Sequence, residues 1–358
     1  MLGDKPSRAA TGGADRKRPP APTIRDVARL AEVSIGTASK ALNSNGRLRQ
    51  ETREKVIRVA REIGYRPNDM AQSLHRSQSM TVGILSTDSF GRFTFPIFQA
   101  LEESLADKGI AVFMCNATDD PERERQHIDQ LLGKRVDGIV VTARRSDRRP
   151  PVETNAHGLP VIYVFSQTDD PDAFCLLPDD EGGARQAVEH LVAMGRRRIA
   201  HVTGPERFEA VRLRRLGYSK ALKAAGLYEP AGYFVTGKWS EQSGYEAVAR
   251  LLDGGIERPD AIFCGNDQIA RGLLDGLKER GVAVPGDVAI VGFDNWEVMT
   301  EATHPRLTSV DMNLRALGRE AGERLIDMIA GHRHVGTRRL PTTLVVRESS
   351  GAPGKIEP

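Results

Sequence analysis

A chain of 358 residues, 39% hydrophobic and 28% charged, has the length for two or three domains and the composition of a soluble globular protein with a real core. Its net charge of +3 is unevenly placed, since residues 1–78 carry 16 Lys and Arg against 8 Asp and Glu, while residues 79–358 carry 35 against 40. A basic amino-terminal piece on an acidic body points to a polyanionic partner for that piece. Cys115, Cys175 and Cys264 lie far apart, with no CxxC and no zinc spacing, which fits a reduced cytoplasmic interior. There is no apolar run of membrane-spanning length. Residues 1–22 lack the apolar core of a signal peptide and read as a disordered basic tail.

The stretch 23–43, TIRDVARLAEVSIGTASKALN, predicts two short helices joined by a tight turn at Glu32-Val33. Thr23 and Asp26 have capping-box spacing, and Ile24, Val27, Ala28 and Ala31 share one helical face. Ser34 caps the second helix, Ile35–Leu42. That helix sets Ala38, Ala41 and Leu42 on one side and Gly36, Thr37, Ser39 and Lys40 on the other. A short helix with a small, polar outer face suits the DNA major groove, although helical hairpins of this kind also occur as plain structural elements. Residues 50–64 predict a third helix, with Val56, Ala60 and Ile63 forming the stripe that closes a three-helix head over 23–67. Residues 68–79 are too short and polar to be stable alone and read as a hinge helix or linker. There Leu74 could wedge between base steps of a minor groove, or merely pack on the body.

From residue 80 strands and helices alternate: MTVGILS, a helix at 96–109, IAVFMCNA, a helix at 121–135, VDGIVVTA and LPVIYVFS. A second such series runs from 181 to VAIVGFDN at 288–295. Regular alternation predicts an α/β fold of doubly wound parallel sheets, long enough for two lobes. Ligands of such sheets bind outside the strand carboxyl ends, here the loops Ser86–Phe95, Thr142–Arg149, Gly265-Asn266-Asp267 and Phe293-Asp294-Asn295. The run RRLPTTLVVRES (338–349) predicts one last strand. The lobes are expected at about 80–166 with 308–335 and at about 180–305 with 338–349; residues 350–358 read as a disordered tail. No G-x-G-x-x-G follows a strand, and there is no Walker motif and no nucleophile-base spacing. His127, His190 and His201 are scattered and read as structural, so no enzyme and no cofactor or metal is expected.

With TIRDVARLAEVS, the TREKV and IGYRPN runs, AQSL, VDGIVV, RRIAHVTGP, RLRRLGY, FCGNDQIARG and VPGDVAIVGFDN in order, the chain resembles the LacI/GalR family of bacterial transcription regulators over residues 23–349. The resemblance implies a cytoplasmic homodimer. Each subunit would carry a helix-turn-helix head, a hinge helix that forms on palindromic operator DNA, and a two-lobed periplasmic-binding-protein-like domain for a sugar or sugar derivative. It implies a repressor as the commonest role. On this reading the DNA-facing residues are Thr23, Ser34, Ile35, Gly36, Thr37, Ser39, Lys40, Asn43, Tyr65, Asn68, Ala71 and the hinge Leu74. The effector residues are Asp88, Phe93, Arg214, Trp239, Asn266 and Asp294. Arg214 offers five donors and Asp294 accepts from two hydroxyls, a pair suited to a polyhydroxylated ligand; Trp239 could stack on a sugar's apolar face or simply fill the core. The chain departs from the family at Ala38, at Arg49 in place of a helix cap, and at Met312. Arg92 and Arg144-Arg145 on cleft-side loops raise an anionic effector, with solvated loop arginines as the plainer account. A sugar-binding protein of a transport system would account for residues 80–349 but for neither the basic head nor the missing signal peptide.

Overall fold

The computed structural model describes residues 22–43, 48–65, 78–89, 91–154 and 158–351. Asn68, Ala71 and Leu74, most of the hinge, and residues 1–21 and 352–358 lie outside the described residues, whereas Ser350, expected in the disordered tail, is buried against Thr308 Oγ1 and His190 Nε2 at 2.8 Å each. The chain divides into two units between Ser79 and Met80.

In the first unit, α1 (Ile24–Leu30), α2 (Ile35–Leu42) and α3 (Gln50–Glu62) pack around Val27, Ala28, Ala31, Ala38, Ala41, Val56 and Ala60. Five of these seven are alanines, whose small side chains let short helices approach closely. The amino terminus of α1 is held by Asp26, whose carboxylate accepts from the Thr23 amide at 2.9 Å and its hydroxyl at 2.8 Å. Glu32 makes the turn in the left-handed region (φ 55°), and Ser34 then caps α2 by accepting from the Thr37 amide at 3.0 Å. Arg49 precedes α3 without a side-chain capping bond.

The second unit begins β1 (Thr81–Ser86), α4 (Thr94–Ala106), β2 (Ala111–Asn116), α5 (Pro121–Gly133), β3 (Gly138–Thr142), β4 (Arg148–Arg149), β5 (Val161–Val164), β6 (Gln167–Thr168) and β7 (Phe174–Pro178). It continues α6 (Asp180–Ala193), β8 (Ile199–Thr203), α7 (Glu209–Ala224), β9 (Phe234–Thr236), α8 (Glu241–Asp253), β10 (Ala261–Cys264) and α9 (Asp267–Glu279). It ends β11 (Ala289–Asp294), α10 (Glu297–Thr300), β12 (Thr308–Asp311), α11 (Leu314–Ile329), β13 (Gly336–Leu340) and β14 (Thr343–Val345). The first lobe's sheet has the order β13-β7-β5-β3-β1-β2 and is parallel throughout. The second, β14-β12-β11-β10-β8-β9, is parallel except for β14, which runs against β12. The central strands are buried on both faces, as helix-covered parallel sheets require.

The lobe boundaries read from the sequence need correction. Residues 308–311 form β12 in the second sheet, and 336–340 form β13 in the first. The run 338–349 is two strands, because Pro341 has no N–H for a ladder and the chain changes sheet there. β7, for which no strand was expected, joins the first sheet. The chain therefore passes between lobes three times, near residues 179, 312–313 and 341–342. These passages are bonded to one another. The Asp179 amide donates to Leu340 O at 2.8 Å, and Asn313 Nδ2 donates to Pro341 O at 2.8 Å and Thr343 Oγ1 at 3.1 Å.

Candidate functional site

On α2, Ala38 and Ala41 face the core, while Ser34, Ile35, Gly36 and Lys40 are exposed and Thr37 and Ser39 half-buried. Ile35 is 50% exposed, one of the large apolar side chains the head leaves in solvent, with Leu30 on α1. The expected DNA-facing positions on α2 thus form one outer face. Two other candidates have structural work: Thr23 holds α1, and Tyr65 packs, half-buried, against the head's core. Asn43 ends α2, its amide donating to Ser39 Oγ at 3.3 Å.

In the second unit, the carboxyl ends of the two sheets face each other, and side chains from the first lobe reach the second. Arg92, in the turn before α4, donates to Asp294 Oδ2 and, at 3.4 Å, to Gln268 Oε1. Its guanidinium lies 4.4 Å from the Trp296 ring centroid and 4.9 Å from that of Phe93. At the opposite edge Asp147 accepts from the Glu209 amide at 2.8 Å, supplying the first turn of α7 with a cap its own N-cap residue, Phe208, lacks. Arg145 lies over the Phe208 ring at 5.2 Å.

Arg214 is 4% exposed and heavily bonded. Its Nε donates to Asp180 Oδ1 at 2.8 Å, its Nη1 donates to Gly265 O and stands 3.8 Å from Asp294 Oδ1, and its Nη2 approaches Met312 Sδ at 3.9 Å. The guanidinium sits 3.7 Å from the Phe293 ring centroid and 5.8 Å from that of Trp239. Burial raises the pKa of Asp180 and of Asp294; Arg214 opposes this at the first, and Arg92 then Arg214 at the second. Asp267, fully buried beside them, is pushed up to about 8 by burial and then by the charge of Asp294. Asp294 and Asn295 both hold positive φ, 102° and 48°, the second in the left-handed region that Asn readily enters and the first in one that side chains rarely adopt.

The remaining candidates divide. The ring of Trp239 covers Gly204, where any Cβ would collide with it, and stacks on Phe208 at 6.4 Å, so it lines the second lobe's edge. Phe93 stacks on Phe165 at 4.8 Å. Asn266 caps α9 by accepting from the Ile269 amide at 2.9 Å. Asp88 caps α4 through Oδ2, which accepts from Phe93 N and Thr94 N, while its buried Oδ1 has no partner among the described residues. Asp180, Gln268 and Trp296 were missed, since their partners lie far away in sequence, while Asp147, Asp267 and Phe293 lay in the expected ligand loops without being singled out. Arg144 and Arg145 are largely exposed and stand near Asp119 and Asp147, as solvated loop arginines do. Among the described residues no cluster of His, Cys, Asp or Glu could hold a metal ion, and no helix is long and apolar enough to cross a membrane.

Comparison with known proteins agrees with both units. Residues 23–68 match the profile of bacterial regulatory proteins of the lacI family, and residues 188–350 that of periplasmic binding protein-like domains. The chain is 30% identical over 338 residues to the HTH-type transcriptional repressor CytR of Escherichia coli K12, covering 94% of this chain and 98% of CytR. It is 32% identical over 332 residues to the ribose operon repressor of the same organism, covering 92% and 99%. The fold superposes on the Lac repressor dimer bound to operator and the anti-inducer ONPF with a TM-score of 0.75, at 30% identity over 93% of this chain and 100% of that one. A basic three-helix head, two doubly wound lobes and relatives matched end to end leave one assignment: the chain belongs to the LacI family of bacterial transcriptional regulators.

Proposed function

We propose that the protein is a repressor that binds a palindromic operator as a homodimer and whose affinity for it is set by a sugar or sugar derivative bound between the lobes. The observation that carries this reading is the outer face of α2, exposed on a head otherwise closed by its own core. Ile35 would contact an apolar base edge such as a thymine methyl, and Lys40 a base or phosphate. β2, an edge strand with Phe113 and Met114 exposed at 44% and 40%, supports the homodimer as a surface for a second copy. A transport-type binding protein has no use for the head and is set aside.

For the effector, the supporting feature is a set of buried side-chain oxygens at strand carboxyl ends. Asp88 Oδ1, Thr142 Oγ1, Ser166 Oγ and Thr203 Oγ1 have no hydrogen-bond partner among the described residues. Unpaired buried oxygens are costly, and ligand hydroxyls would satisfy them. Ser166 also lines a cavity of about 580 Å³ whose walls, Thr87, Glu124 and Arg144 among them, all belong to the first lobe. The effector would act by binding one lobe arrangement better than another. The test is selection of bound sequences from a random double-stranded DNA pool by the full-length protein. An enriched palindrome is expected; no enrichment, alone and with pooled sugars and sugar acids, would sink the reading.

A further inference from the structure

Arg92 stands out because it is a first-lobe cation seated on the second lobe's acceptor. Its side chain is 13% exposed and that of Asp294 is 5% exposed, so the pair is removed from bulk water. The contact spans 202 residues of chain and is flanked by two aromatic faces. Only two of the five guanidinium donors find acceptors among the described residues, Asp294 and Gln268, leaving three for another acceptor. Of the cationic groups here, Arg214 has its own carboxylate in Asp180, whereas Arg92 shares Asp294 with Arg214.

These contacts constrain what can bind. The two arginines, Arg92 and Arg214, are paired with two carboxylates, Asp294 and Asp180, so these pairs balance in charge. A hydroxylated ligand that takes Asp294 as acceptor competes with Arg92. If the ligand is neutral, a displaced Arg92 is left desolvated without a counter-ion, a costly state. If it carries a carboxylate or phosphate, that group meets the guanidinium's free donors in bidentate fashion while the hydroxyls go to Asp294 and Arg214. The cleft's other edge has matching polarity. A recess of about 440 Å³ there is lined by Arg145, Arg148 and Arg207 with Asp147 and Glu209, and it adjoins Phe208, which stacks on Trp239. Arg207 lies over the Phe208 ring at 4.5 Å, while the nearby Glu209 is paired with Arg212.

We propose that the effector is an anionic polyol, a sugar acid or sugar phosphate, and that Arg92 is the residue that selects its charge by exchanging Asp294 for the ligand's anionic group. This rests on the sugar-effector reading above and narrows it.

The test uses intrinsic fluorescence, because the chain's two tryptophans, Trp239 and Trp296, both touch the arginines of the cleft. The full-length protein is titrated with neutral aldoses, with their aldonic and uronic acids, with their monophosphates, and with inorganic phosphate alone. The expected result is a charged sugar binding at least about tenfold more tightly than its neutral parent. Arg92→Gln is expected to cut that preference to within about twofold, and Arg92→Lys to keep much of it. Equal binding of acid and neutral parent by the unmodified protein overturns the inference while leaving the sugar reading standing. So does a preference that survives in Arg92→Gln, since the charge is then read elsewhere. Phosphate alone binding as tightly as any sugar phosphate also overturns it, by showing an anion site without a polyol. If no member of the panel shifts fluorescence or melting temperature, the sugar reading fails and this inference with it. The comparison in the unmodified protein needs no variant, so a folding defect in Arg92→Gln cannot shield the proposal.

Discussion

The outer face of α2 and the cleft between the lobes are built on opposite principles. The first is a solvated surface of small and uncharged side chains with one lysine, carried on a core made largely of alanine. Apart from Ser34, which caps α2, its exposed side chains lie outside the core that holds the head together. The second is a set of arginines and carboxylates taken out of water, each of which offsets the burial of the others' charge. A site of the first kind can change its residues without changing stability. A site of the second kind cannot, so its recognition and its fold must vary together.

The sharpest way to break this comparison is Arg214→Ala. It leaves Asp180 buried without a counter-ion, and the expected cost to the second unit is about 3–5 kcal/mol in urea denaturation. A loss below about 1 kcal/mol would show that the cleft charges are as dispensable as the α2 face. On the head, Lys40→Ala should leave the melting temperature alone. If Lys40 reads a base, it should lower discrimination at one operator position by about 1–3 kcal/mol; uniform weakening on all sequences would mean a phosphate contact instead.

The effect of pH tests the same contrast. Burial lowers the His201 pKa from 6.5 to about 3, so between those values the unfolded chain binds a proton that the fold refuses, and stability rises with pH. Asp267, raised from 3.8 to about 8, has the reverse effect: the fold holds a proton that the unfolded chain lacks, and stability falls as pH rises. Where both act they offset, and above pH 6.5, where His201 no longer opposes it, Asp267 contributes a decline of roughly 1 kcal/mol per pH unit toward pH 8. His201→Phe should start that decline near pH 4, as read by denaturation at stepped pH. A flat profile from 6.5 to 8 would contradict a protonated Asp267. The smallest effect belongs to the head. Thr23→Ala removes the hydroxyl from Asp26 and should cost about 1 kcal/mol, visible as amide exchange in α1, with α2 unaffected.

Legibility in the sequence followed the range of the interactions. The three head helices could be read because their signals are local: the Thr23–Asp26 spacing, the Ser34 cap and a stripe on α3. Strand-helix alternation was equally local, and the loops it picked out are those that meet. β7 was overlooked because AFCLLP is short and apolar without alternation, a pattern that takes its meaning only from neighbours on both sides. The strand pair β13 and β14 read as one because each half has strand composition and only Pro341 marks the change of sheet. Arg214 and Asp294 were found through the resemblance, whereas Asp180 is invisible until the fold sets it beside Arg214. Asn266 and Asp88 look like ligand residues in sequence and prove to be helix caps as well. Arg92 was visible as a loop arginine, but its partner lies 202 residues away.

The three passages between the lobes carry a consequence for how such a molecule can be taken apart. Neither lobe is a continuous stretch of chain: the first needs residues from β1 to β7 together with α11 and β13, and the second needs the rest. No single cut frees one lobe intact, and a chimaera that splices one lobe from a homologue must exchange several segments whose junctions are bonded at Asp179, Asn313 and Pro341. The head, by contrast, ends before Met80 and is one uninterrupted segment. Recombination can therefore exchange the DNA-reading module in one step, while the ligand-reading module is inherited whole.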